Sequence, residues 1–183
     1  MDIEYKIHKS LKKEQEYIGN IITVFKYKKY KMKYLSLNSK LKLPDFSITL
    51  NICSRTCDYF TSKICYVKNN PRMTIYNKKK NIQNEKLLNS RSFVNVLKKE
   101  ILLSNYRKIR FFSGGDLYKI EHLEKIELLC KELPFIKFWL STHQEFILSG
   151  YYKNDKKPIS NLNIILSHPQ VNQQYEKFLI DFW

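Results

Sequence analysis

Three cysteines spaced Cys53-x3-Cys57-x7-Cys65 precede the run Lys108-Ile-Arg-Phe-Phe-Ser-Gly-Gly-Asp116, and these two stretches hold the residue types best suited to chemistry. Thiolates are soft ligands for zinc or iron–sulfur clusters, and three of them leave a four-position metal centre one ligand short. An exogenous ligand, such as the amino and carboxylate groups of a small molecule, would fill that position. In one reading Cys53, Cys57 and Cys65 hold three irons of a 4Fe-4S cluster, with Tyr59, Phe60 and Tyr66 shielding it from water. In another they hold zinc, with Cys130, His122 or His143 as the fourth ligand. The x3 and x7 gaps match no paired Cys-x2-Cys knuckle, which favours iron–sulfur. The plain reading is three unliganded thiols.

The Ser113-Gly114-Gly115-Asp116 run is short, and a Gly-Gly pair after a strand can simply turn the chain. Beside a cluster loop it gains a functional reading. Glycines expose backbone amide and carbonyl groups to a ligand's ammonium and carboxylate, while Asp116 supplies a compensating charge. His143 is a candidate acid, base or ligand.

These residues need elements to position them. Phe46, Ile48, Leu50 and Ile52 alternate at period two, which predicts a strand ending at the cysteine cluster. Residues 66–84, rich in Lys and Asn and containing Pro71, read as a long exposed connection. A helix is expected from about Glu85, or from a Ser90 cap, to Leu103, because Phe93, Val94, Leu97, Ile101 and Leu102 form one apolar stripe. A strand over Lys108 to Phe112, a helix from Leu117 to Leu133, and strands at Ile136 to Ser141 and Leu162 to Ser167 follow. A short helix or loop separates the last two strands. Alternation of this kind argues for βαβ units with parallel strands and right-handed crossovers. Ligands then sit at the carboxyl ends of the strands. Those ends carry Cys53, then Ser113 to Asp116, then Ser141-Thr142-His143, then Ser167-His168.

The 183 residues suit one core without disulfide staples, and three clustered cysteines plus a lone Cys130 do not read as a disulfide framework. A reducing cytoplasm fits best. No segment approaches the run of about eighteen apolar residues needed to span a bilayer. Thirty-three Lys and Arg against seventeen Asp and Glu give a net charge of +16, which points towards nucleic acid or an acidic surface. The absence of alanine and the abundance of Lys, Asn, Ile and Tyr trace part of that charge to an AT-rich genome. The interleaved Lys and Tyr of residues 26–34 could grip phosphates and stack on bases. The chain divides into a basic N-terminal extension, 1–43, with one or two short strands, and an α/β domain, 44–183.

The loop from Cys53 to Tyr66, the Asn77 to Asn81 region, Arg110 to Asp116 and Phe138-Trp-Leu-Ser-Thr142 together resemble radical S-adenosylmethionine proteins. They are most similar to phage proteins with a gene product 88 domain. Coverage is roughly residues 44–168. The resemblance implies a partial (βα) barrel, shortened at the C-terminus, with a 4Fe-4S cluster on Cys53, Cys57 and Cys65. It places the S-adenosylmethionine methionyl group on Gly114, Gly115 and Asp116 beside Ser113, and brings Ser141, Thr142 and Ser167 towards the cofactor. It further implies a 5′-deoxyadenosyl radical acting on an unknown substrate. The sequence departs from the usual Cys-x3-Cys-x2-Cys motif, since its last gap is seven and the aromatic Tyr66 follows the final cysteine. A shortened barrel also leaves an open flank for a partner, a second copy or substrate to cover. The competing reading is a zinc-stabilised, basic nucleic-acid-binding protein without catalysis, with its basic N-terminal region on the nucleic acid. A third is a remnant that keeps the fold without a cofactor.

Overall fold

The computed structural model describes residues 31–38, 41–50, 53, 65, 67–69, 75–153 and 156–167. Five strands form one sheet in the order β1-β2-β3-β4-β5. They are β1 (Ser36–Leu37), β2 (Pro44–Phe46), β3 (Lys108–Phe111), β4 (Lys137–Thr142) and β5 (Leu162–Leu166). β1 pairs antiparallel with β2, and every later neighbour pair is parallel. The helices are α1 (Ile75–Asn89), α2 (Phe93–Ser104), α3 (Ile120–Glu132) and α4 (Glu145–Tyr151). The protein is therefore α/β with a mixed sheet, and among the described residues that sheet is open rather than closed into a barrel.

Consecutive parallel strands joined by right-handed crossovers put all their helices on one face. Phe46, Phe111 and Leu140 lie side by side in register on that face, as do Ile109 and Phe138. All five are essentially inaccessible to solvent. Phe93 of α2 meets Phe46 edge-on at 5.6 Å between centroids, and Leu97, Ile101, Leu123, Ile126 and Leu129 complete the layer. Each fully buried side chain of this size contributes roughly 1.5–3 kcal/mol.

The sequence expectations hold for β3, β4, β5 and α2, and the expected short helix between β4 and β5 is α4. Three differ. The strand expected from Asp45 to Ile52, whose residues 51–52 lie outside the described ones, is β2, which begins at Pro44 and ends at Phe46, because residues 47–49 leave the ladder. Their polar groups bond to the turn after β3 and to α1 instead. The helix expected from Leu117 begins at Ile120, since Asp116 takes the Leu117 amide and Lys119 is extended. The connection expected over 66–84 contains most of α1, which starts four residues beyond Pro71 and ends at Asn89 as a helix separate from α2.

That helix escapes a periodicity reading because its inner face is partly amide. Asn81 and Asn84 are buried along with Leu87 and Leu88. Asn84 Nδ2 donates to the carbonyls of Tyr34 and Ser47 at 3.0 and 2.8 Å. Lys80 Nζ donates to the Leu35 carbonyl at 2.6 Å, and buried Glu100 Oε1 accepts from the amides of Tyr34 and Leu35 at 2.8 and 2.7 Å. Side chains of α1 and α2 thereby satisfy the backbone of residues 34–35, just ahead of β1. This is an alternative to strand pairing for a buried segment.

Candidate functional site at the carboxyl edge of the sheet

The carboxyl ends of the four parallel strands are joined by polar ties. Between β2 and β3 the tie is Asp45, which the sequence reading missed. Its carboxylate accepts from the Ser47 hydroxyl at 2.5 Å, the Ser113 hydroxyl at 2.6 Å and the Ser113 amide at 3.1 Å. Ser47 and Ser113 hydroxyls are 3.0 Å apart, and Ser47 Oγ also accepts from the Gly114 amide at 2.9 Å. No sequence signal marked it, because period-two alternation expects a polar residue at position 45.

Between β3 and β4 the tie is Asp116, 3% exposed. Its Oδ1 accepts from the Thr142 hydroxyl and the Leu117 amide, and its Oδ2 from the His143 amide at 2.9 Å. Between β4 and β5, His143 Nδ1 donates to the Ser167 carbonyl at 2.8 Å, and the Ser167 amide donates to the Thr142 carbonyl at 2.7 Å. A ring held in that way carries its lone pair on Nε2 when neutral. Burial raises the carboxyl groups of both Asp45 and Asp116 above their usual range, against the lowering effect of the hydrogen bonds they accept.

The turn between β3 and Asp116 is tightly made. Phe112 adopts φ of +61°, a costly conformation for a bulky residue, and its amide bonds to the Phe46 carbonyl at 2.9 Å. The Gly114 carbonyl accepts from the Ile48 amide at 3.1 Å, so both backbone polar groups of Gly114 serve the fold. Gly115 has φ of +79°, and a Cβ there would stand 2.4 Å from Ile48 Cγ1 and 2.8 Å from the Thr49 carbonyl oxygen. Close approach of residues 48–49 accounts for this glycine.

The predicted site residues Ser113, Gly114, Gly115, Asp116, Thr142 and Ser167 are thus collected on one edge, with His143. Ser141 stands on the opposite sheet face from Thr142, in register with Ile165. Cys53 and Cys65 are half-buried, while Cys57, Tyr59, Phe60 and Tyr66 lie outside the described residues. Cys53 does not cap a strand as expected, because β2 ends at Phe46. Its amide closes a turn onto the Leu50 carbonyl at 3.0 Å. The turn after Cys65 bonds Asn69 N to the Cys65 carbonyl at 3.0 Å and brings Val67 Cγ1 within 3.3 Å of where a Gly114 Cβ would be. That contact brings Val67, just after Cys65, to the glycine turn.

Cys130 is fully buried in the α3 core layer, where burial pushes its thiol far above the ordinary value. His122 is buried on α3, donates from Nε2 to Asn89 Oδ1 at 3.2 Å and packs edge-on against Tyr118. Among the described residues, no group of three His, Cys, Asp or Glu side chains is placed to hold a metal ion. No helix among them is long and apolar enough to cross a membrane.

Among the described residues, the fold and its strand-end ties define an α/β protein with an open, consecutively ordered mixed sheet and a polar carboxyl edge. The chain belongs to the gene product 88 family of phage proteins, whose family model matches residues 8–181. No curated protein and no solved structure matches the chain.

Proposed function

We propose that this protein is a radical S-adenosylmethionine-type iron–sulfur protein, with Cys53, Cys57 and Cys65 holding a 4Fe-4S cluster. The observation that carries the reading is the contact of Val67, two residues after Cys65, with Gly114. It sets the residues just after Cys65 beside the turn whose resemblance is to a methionyl-binding motif. The described part of the donor set fits in burial: Cys53 and Cys65 are neither deeply buried nor fully exposed. The consecutive parallel order of β2 to β5 supports a partial barrel as the full architecture.

When bound, such a cluster supplies the electron for radical chemistry on an organic substrate. This chain's own residues have distinct tasks. Asp45 and Asp116 hold the glycine turn and the end of β4 in place, and Gly114 and Gly115 keep the turn free of side chains. Ser113, Thr142 and Ser167 supply polar groups around it, while Ser141 offers its hydroxyl from the other face of the sheet. His143, its Nδ1 tethered to Ser167, presents Nε2 as a proton donor or acceptor. The sheet, open among the described residues, leaves a flank for a partner, a second copy or substrate.

Anaerobic reconstitution with iron and sulfide, followed by metal analysis and electron-spin resonance with and without S-adenosylmethionine, tests the proposal. The expected result is a reducible cluster whose signal changes when the cofactor is added, and which is lost in Cys57→Ala. Failure of the native chain to take up a cluster, or a cluster indifferent to Cys57→Ala, would sink it. The second reading, a zinc-stabilised basic nucleic-acid-binding protein, rests on the +16 charge. Stoichiometric zinc with binding that weakens steeply with salt would favour it.

A further inference from the structure

The sheet face away from the helices carries a polar row in register across four strands: Asp45, Arg110, Trp139 and Asn163. One step towards the amino ends on the same face, Lys108 and Lys137 are register partners, both exposed. Like charges placed side by side disfavour the pairing unless something anionic lies near them. Arg110 sits 5.0 Å above the centre of the Trp139 ring. Its Nε is buried and makes no hydrogen bond, and the same is true of Trp139 Nε1. Neither ion pair among the described residues involves Arg110. Asp45 feels its charge, yet both Asp45 oxygens bond to Ser47 and Ser113 instead.

A half-buried guanidinium whose Nε has no acceptor, beside an indole N–H that also has none, is an arrangement with donors left over. We infer that this face binds a small ligand bearing a carboxylate or phosphate group, with Arg110 as the anchor and Trp139 as a flat wall donating from Nε1. Guanidinium geometry suits either oxyanion, and the two lysines add attraction without fixed geometry. In the partial-barrel reading this face lines the barrel interior, but none of its groups ligates metal, so its binding can be measured without a cluster.

The test uses the full chain as purified, without reconstitution, in a Trp183→Phe background so that indole emission reports Trp139 alone. Titration with benzoate and, separately, with inorganic phosphate is expected to give a saturable change with at least one of them. The arm that saturates at lower concentration identifies the oxyanion. Binding should weaken at least tenfold in Arg110→Gln and stay within twofold in Lys99→Gln, a charge control on α2. If Arg110→Gln fails to fold, calorimetry on Trp139→Phe provides the second reading, with several-fold weaker binding expected. No saturable response to either probe, or equal weakening in Lys99→Gln, overturns the inference.

Discussion

The Thr142 hydroxyl donates to the Asp116 carboxylate at 2.5 Å, fastening the end of β4 to the turn that leaves β3. Because the same carboxylate also takes the amides of Leu117 and His143, its removal leaves three donors without partners. Asp116→Ala should cost about 2–4 kcal/mol of stability, and Asp116→Asn, which keeps one accepting oxygen, clearly less. Urea unfolding with an unchanged slope would measure this. Equal losses in the two variants would show that the hydrogen bonds are not what matters there.

Gly114 and Gly115 are adjacent but answer to different constraints. Gly115→Ala should destabilise by about 2 kcal/mol or more, since the new Cβ meets Ile48 and Thr49 at a backbone angle that disfavours side chains. Gly114→Ala needs only a small shift of Val67 and should cost under about 1 kcal/mol. If the turn lies against a ligand, the Gly114 variant should lose cofactor affinity while melting near the parent temperature. Paired thermal melts and binding measurements separate the two effects.

The β3, β4 and β5 strands and the α2 and α3 helices were legible because their apolar residues recur at the period of the element and face one core. α1 was not, because half of its buried face is Asn81 and Asn84, residues that sequence patterns count as exposed. Asp45 was hidden for a related reason. Its role lies in contacts with Ser113, far along the chain, and no local spacing announces them. The glycine turn was legible as a turn, but the use of Gly114's own amide and carbonyl by Ser47 and Ile48 appears only once β2 and β3 lie side by side.

Glu100 is a buried carboxylate whose Oε1 serves two amides ahead of β1. Glu100→Ala should cost about 2–3 kcal/mol, and Glu100→Gln, which retains Oε1, less than half of that. Amide hydrogen exchange is the discriminating readout. Protection should fall first at Tyr34 and Leu35 in the alanine variant, and a uniform loss across the sheet would argue against local anchoring.

The pH dependence of stability should reflect two opposed sets of groups. His122 is held down to about 4, first by burial and then by Lys119 and Lys125, from an ordinary 6.5. Its Nδ1 is buried without a partner, so a proton there would find no acceptor. Between pH 6.5 and 4 the unfolded chain takes up a proton that the native ring refuses, and stability falls as pH falls. Asp45 and Asp116 act in the reverse sense. Burial raises both above 3.8, so the native state retains protons that the unfolded chain releases. Their contribution is full below 3.8 and is lost as pH rises through the raised values. His122→Gln should therefore flatten the climb in urea midpoint between pH 4 and 6.5, whereas Asp45→Asn should steepen it by removing an opposing slope. Midpoints measured at constant ionic strength give both slopes, and a His122→Gln profile parallel to that of the parent would rule out the imidazole as their source.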